Sequence, residues 1–363
     1  MSLPPPLGML CELTHRCPMS CVYCSNPGEL VRGAGELDTQ SWQRVLEEAA
    51  ALGVLHVHLS GGEPCARADL EQIVGQACAS GLYTNLITSG LLLDAPRLER
   101  LCEAGLDHIQ LSIQAASAQM AARIGGRKGA HERKLEVAQL VGQIGLPLTI
   151  NAVVHRQNLS ELESIIALAV ELGAQRLEVA HAQYVGWALV NRAALMPTRA
   201  QLDEATEVVE RARERLLGRL VIDYVVSDYH GVRPKACMGG WGRRFINVSP
   251  DGFVLPCHAA QLIDGLRFDN VQARALGEIW SEGEAFCAFR GFDWMAEPCR
   301  SCPRKEIDFG GCRCQAFLLT GDARNPDPVC ELSAHHSLLA GHTCGLAIDA
   351  APELVYRHYS RTP

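Results

Sequence analysis

The sequence predicts an α/β fold, a partial (β/α)6 TIM-like barrel followed by a C-terminal cysteine-rich region. Three observations predict it. Six short apolar runs alternate with amphipathic helical stripes between about residues 8 and 185, and such alternation builds parallel βαβ units with right-handed crossovers. Periodicity fades from Cys237 onward, where Gly, Pro and Cys dominate. The motifs that carry chemistry fall where strands end, and barrel sites gather at the carboxyl ends of strands. A doubly wound sheet would share the alternation; the motif positions choose the barrel.

The strand candidates, in order, are GMLCEL (8–13), HVHLSG (56–61), YTNLITSG (83–90), HIQLSIQ (108–114), PLTINAVV (147–154) and RLEVAHAQ (176–183). Their apolar character suits a sheet covered by helices. Trp42, Val45, Leu46 and Ala49 make one helical stripe, ended by Gly53. Leu162, Ile165, Ile166, Ala169 and Leu172 make another, with Ser160 and Glu163 as its expected capping box. A helix near 200–217 and the strand-like LVIDYVV (220–226) bridge to the cysteine-rich part. The expected division is 1–190 for the barrel, 191–236 for the bridge and 237–363 for a segment stapled by ligands.

At 363 residues and 48% hydrophobic, the chain has ample material for a core. The opening MSLPPPLGMLCEL has no basic n-region, and no run reaches the roughly 18–20 apolar residues of a membrane span. The expectation is a cytoplasmic protein with no membrane partner. A net charge of -8 without a long Lys/Arg run argues against nucleic acid. In a reducing compartment, sixteen clustered cysteines favour metal or iron–sulfur ligation over disulfides.

Cys17, Cys21 and Cys24 form C-x3-C-x2-C directly after the first strand. Structural zinc and electron-transfer [4Fe–4S] clusters both take four ligands. Three local thiolates therefore leave a distant fourth ligand or an open metal position. At the end of the second strand lies SGGEP, residues 60–64. This pair of motifs at consecutive strand ends resembles the radical S-adenosylmethionine (SAM) superfamily. The resemblance implies a [4Fe–4S] cluster whose open iron binds SAM, and a 5′-deoxyadenosyl radical that takes hydrogen from an unactivated carbon. It makes Gly61, Gly62, Glu63 and Pro64 the glycine-rich SAM motif. Thr88, Ser89, Ser112, Gln114 and Asn151 lie at strand ends where the family contacts SAM. GGRKG (125–129) fits neither a dinucleotide nor a P-loop pattern and reads as a helix-entry loop near the barrel mouth.

The second array runs Cys237, Gly252, Cys257, Cys299, Cys302, Cys312, Cys314 and Cys330. It resembles the SPASM extension of peptide-modifying radical SAM enzymes, with one departure: Asp308 stands where that pattern calls for cysteine. Seven thiolates are one short of two four-ligand sites, and Asp308 supplies the eighth donor. By analogy Cys299, Cys302, Asp308 and Cys330 hold one auxiliary cluster, and Cys237, Cys257, Cys312 and Cys314 the other, whose nuclearity stays open. Two structural zinc sites satisfy the same count. Cys11, Cys65, Cys78, Cys102, Cys287 and Cys344 are read as structural, Cys78 and Cys102 as small core residues. His258 is a possible neighbour of a cluster; Tyr184 and Trp187 are candidates for the substrate side of strand six, with packing as the weightier reading since buried aromatics more often serve the core.

Finally, ELTHRCPMSCVYCSNP, AQYVGWALVNRAALMPT and CPRKEIDFGGCRC together resemble the peptide cyclases of pyrroloquinoline quinone biosynthesis, across nearly the whole chain. That resemblance implies a ribosomal precursor peptide, PqqA, as substrate. It implies a bond between a glutamate γ-carbon and a tyrosine ring carbon, a peptide chaperone, PqqD, and a flavodoxin-type reductant. No catalytic base is assigned. The alternatives are another SPASM modifier, forming a thioether or other cross-link, and a zinc-braced peptide-binding protein.

Overall fold

A computed structural model describes residues 3–27, 30, 35–226, 228–339 and 352–357. The six expected strands form: β1 (Gly8–Thr14), β2 (His56–Gly61), β3 (Tyr83–Thr88), β4 (His108–Ser112), β5 (Leu148–Val154) and β6 (Arg176–His181). Each pairs in parallel with the next.

The sheet continues at both edges. β7 (Val221–Val225), from the bridge, pairs in parallel with β6, and β8 (Phe245–Val248) pairs in parallel with β1. β9 (Val254–Leu255) closes a short antiparallel ladder on β8, giving the order β7-β6-β5-β4-β3-β2-β1-β8-β9. The cysteine-rich region is thus sewn to the first strand. FINV escaped the sequence reading because four residues inside a Gly- and Cys-rich stretch carry little periodicity.

Helices cover the outer face. Thr39–Leu52 begins at Asp38, whose carboxylate accepts from Ser41 N, and ends at Gly53, whose φ of 100° favours glycine. Its stripe of Trp42, Val45, Leu46 and Ala49 is fully buried against the sheet. Each large side chain there contributes about 1.5–3 kcal/mol, and truncating Trp42 to Ala would cost about 3–5 kcal/mol.

Two expectations are corrected. No Ser160–Glu163 capping box forms: a 3-10 turn at Leu159–Glu161 delays the start of Leu162–Glu171, and Glu161 occupies its N-cap. The Glu161 carboxylate instead reaches across to Ala116 N and Ser117 N at 2.9 and 3.1 Å. Cys78 is exposed, not core, and Cys102 is half-buried. Leu70, Ile73, Val74 and Ala77 fill the buried stripe, leaving Cys78 on the last turn beneath Gly105, where a Cβ would strike its Sγ. Cys344 lies outside the described residues. Among those residues no helix is long and apolar enough to cross a membrane, and none of the fifteen described cysteines is in a disulfide.

Candidate functional site

β1 ends in a register shift between Glu12 and Thr14, which releases the chain into the three-cysteine loop. The loop leans on the end of the helix Ala118–Gly125: Ser20 N donates to Gly125 O and Val22 N to Ile124 O, at 3.0 and 3.1 Å. These bonds use carbonyls the helix leaves unpaired. Cys24 N closes a turn on Cys21 O at 3.2 Å.

The glycines of SGGEP hold this loop down. A Cβ on Gly61 would collide with Thr14 O, and one on Gly62 would lie 2.6 Å from the carbonyl oxygens of both His15 and Arg16. Gly62 N donates to Thr14 O and Glu63 N to Arg16 O, at 2.6 and 2.8 Å. Glu63 is fully buried and turns inward. Its carboxylate accepts from Cys65 N, Thr88 Oγ1, Ser89 N and the Ser89 hydroxyl, tying the β2 loop to the end of β3.

Cys17, Cys21 and Cys24 face a cavity of about 360 Å³ at the carboxyl ends of the strands. Gly61, Gly62, Thr88, Ser89 and Ser112 share its wall. Glu63, Pro64, Gln114 and Asn151 do not line it. Gln114 Oε1 accepts from Lys134 Nζ at 3.3 Å, and Asn151 Nδ2 donates to Glu178 Oε2 at 2.8 Å, so both stand behind residues that do. Burial, then the charge of Cys21, pushes the Cys17 thiol up to about 12. Burial raises Cys24 as well, while the Arg357 guanidinium opposes it. Bare neighbouring thiolates repel, and a bound cation is what would hold all three deprotonated together.

Sequence reasoning missed two cations on this wall. Lys134 is buried on the core stripe of the helix Ala130–Ile144, between His131 and Val137. A charged residue inside an apolar period was a readable signal. Burial lowers its pKa, while Cys21, Glu63 and Cys17 act to raise it. Arg357 arrives from the far end of the chain, with Nη1 4.0 Å from Cys24 Sγ and Nη2 3.3 Å from Met19 O. Asn191 secures that tail, donating to Val355 O and accepting from Val355 N, at 2.9 and 2.8 Å.

A second cavity, of about 270 Å³, shares His181, Gln183 and Val225 with the first and is lined by Cys237, Cys257, Cys312 and Cys314. These four thiols form a ring of contacts. Hydrogen bonds from Cys237 and Cys314 hold Cys257 and Cys312 well below the usual thiol range, and the two donors are pushed up. His258 sits beside this ring: burial disfavours its charge, but Cys257 lifts it to about 9. Tyr184 lines the cavity and packs edge-on against Tyr229, ring centroids 5.1 Å apart.

Cys299, Cys302, Asp308 and Cys330 line a third, narrow space of about 10 Å³, together with Asp327. That is about one water, so seating a cluster there requires these segments to part. Two carboxylates compete as the oxygen donor. Asp327 is already committed, accepting from Cys312 N, Gln315 Nε2 and Val329 N at 2.7, 2.9 and 3.0 Å. Asp308 accepts only Gly310 N at 3.0 Å among the hydrogen bonds described, with Arg304 Nε 3.7 Å away, and so retains acceptor capacity. Arg313, nearly inaccessible, braces the surrounding loop through Ala323 O and Asn325 O, at 2.8 and 2.9 Å. Among the described residues no group of three or more His, Cys, Asp or Glu side chains is arranged to hold a single metal ion, the ring of four thiols included.

An α/β barrel with three thiols at one strand end and eight further donors beyond it defines a class. Residues 11–169 match the Radical SAM superfamily, and residues 237–303 match SPASM, an iron–sulfur cluster-binding domain. The fold agrees with that of Streptococcus suis SuiB bound to S-adenosylmethionine, at a TM-score of 0.76 and 21% identity, over 91% of this chain and 78% of that one. The PqqA peptide cyclase of Methylobacterium sp. (strain 4-46) is 60% identical over all of this chain and 96% of its own length. That of Methylorubrum populi is 58% identical over 98% of this chain and 92% of its own. The chain belongs to the PqqA peptide cyclase family of the radical SAM superfamily.

Proposed function

We propose that this chain is a radical SAM peptide cyclase that joins a glutamate γ-carbon to a tyrosine ring carbon of the PqqA precursor in pyrroloquinoline quinone biosynthesis. The observation that carries this reading is near-identical chain length and 60% identity to a PqqA peptide cyclase, with the three-thiol loop and both glycines on one cavity. Cys17, Cys21 and Cys24 would hold the [4Fe–4S] cluster, leaving one iron for SAM against Gly61, Gly62, Thr88, Ser89 and Ser112. When bound, this pair supplies one-electron chemistry able to take hydrogen from an unactivated carbon.

The chain's own part is placement and exclusion. Met19, Ile87, Val153 and Ala180 give the cavity apolar walls, which limit water around a reactive carbon centre. His181, Gln183 and Val225 border both larger cavities, so a peptide crossing that border could present its two side chains on either side. Cys237, Cys257, Cys312 and Cys314 would hold one auxiliary iron–sulfur cluster, and Cys299, Cys302, Asp308 and Cys330 the other. A PqqD-type chaperone would deliver the peptide and a flavodoxin-type protein the electrons.

The test is anaerobic turnover with reductant, SAM, PqqA and PqqD, read by mass spectrometry. The expected product is a peptide lighter by two hydrogens and carrying a Glu–Tyr cross-link. Unlinked peptide alongside released 5′-deoxyadenosine would contradict the coupling step.

A further inference from the structure

The GGRKG loop has no part in the site above, yet it forms a wall of the same cysteine loop seen from outside. Gly126 caps the helix Ala118–Gly125 and Gly129 precedes the helix Ala130–Ile144, at φ of 68° and 75°. The turn between them leaves Arg127 and Lys128 exposed. Together with Arg123, Glu132, Tyr356 and Arg357 they border an open groove of about 860 Å³. Four of its described lining side chains are basic and one is acidic, on a chain whose net charge is -8.

The groove floor is the back of the three-cysteine loop. Ser20, beside Cys21, lines it. Arg127 Nη1 donates to Pro18 O, next to Cys17, at 3.1 Å. Arg357 lines both this groove and the inner cavity, and its guanidinium touches Cys24 Sγ. The groove is thus linked to all three thiols: through Arg127 and Pro18 to Cys17, through Ser20 to Cys21 and through Arg357 to Cys24. Chemistry in the inner cavity requires electrons, and the groove reaches the three-cysteine loop from outside that cavity, with Arg357 as the one residue lining both.

We propose that this basic groove docks a small one-electron carrier protein with an acidic face, of the flavodoxin class. One electron leaves the carrier's reduced flavin and arrives at the cluster held by Cys17, Cys21 and Cys24, with no bond made or broken. The inference rests on the assignment of that cluster. Charge complementarity of this kind sets the encounter rate and its salt dependence more than the final affinity.

The test is stopped-flow reduction of the holoenzyme, with reduced flavodoxin and, separately, with dithionite. The variants are Arg123→Glu and Lys128→Glu, whose side chains make no described bond to the cysteine loop. For each, the flavodoxin rate at low ionic strength should fall about tenfold or more, with the salt dependence flattened and the dithionite rate unchanged. Equal flavodoxin rates in parent and variants would overturn the proposal. So would loss of chaperone–peptide binding with normal flavodoxin reduction, which would assign the groove to the chaperone. Absence of any reduction by dithionite in the parent would instead strike at the cluster assignment itself.

Discussion

The barrel and the cysteine-rich region solve the same problem, holding thiols in place, by different means. In the barrel one large hydrophobic core, which also takes in Ile246, Val248, Leu276, Ile279, Trp280 and Phe286 from the start of the cysteine-rich region, fixes the strands, and the three-cysteine loop is laid over that scaffold. Around the four thiols of the second cavity a separate, smaller cluster of buried side chains includes Cys257 and Cys314 themselves. Removing a cysteine from the first region should therefore cost chemistry, and from the second should cost structure as well.

The largest expected effect sharpens that contrast. Cys17→Ala should abolish 5′-deoxyadenosine formation, measured by chromatography, while the far-ultraviolet circular dichroism and urea midpoint stay at parental values. Cys257→Ala should lose auxiliary iron and open its own region: trypsin cleavage within 237–339 should quicken about tenfold or more, with the barrel still protected. Equal protease resistance in the two variants would break the comparison.

A pH titration probes the barrel side. Burial pushes His155 down to about 3 and His181 to about 4. The unfolded chain takes up those protons near pH 6.5, before the folded one does. Stability is full above that value and should fall as pH drops from 6.5 toward 4, at about 1.4 kcal/mol per pH unit for each histidine. Urea unfolding of His155→Gln and His181→Gln, compared with the parent, should show a shallower slope.

Smaller effects are expected at single side chains beside the thiols. Asp308→Cys should shift the potential of one auxiliary cluster while SAM cleavage survives, since thiolate is a softer donor than carboxylate. An unchanged redox titration would exclude Asp308 as a ligand. Arg357→Gln should lower the potential of the N-terminal cluster, because a cation and its N–H groups beside a thiolate favour the reduced state. Arg357→Lys should recover most of that shift.

What the sequence made legible follows the range of each signal. The six strands, the helix ended by Gly53 and the cysteine spacing are local patterns, and the structure reproduces them. The grouping of Cys237 and Cys257 with Cys312 and Cys314 came from family resemblance, and the structure brings these thiols into contact. Arg357 and Asp327 were illegible because their meaning depends on contacts across the fold: Arg357 reaches a cysteine near the other end of the chain. The spacing marked the motif glycines but not their local reason, which is that the carbonyls of Thr14, His15 and Arg16 leave no room for a Cβ. Pattern alone also misplaced the Ser160 cap and the Cys78 face, where a preceding 3-10 turn and the end of a helix decided the outcome.

The central claim is that the N-terminal cluster keeps one iron for SAM. The direct measurement is electron paramagnetic resonance and electron–nuclear double resonance on the reduced enzyme, with SAM carrying nitrogen-15 in its methionyl amino group. The account predicts an altered cluster spectrum on SAM addition and a nitrogen-15 coupling to iron, lost in Cys17→Ala. A spectrum indifferent to SAM, with all four irons bound by protein side chains, would contradict it.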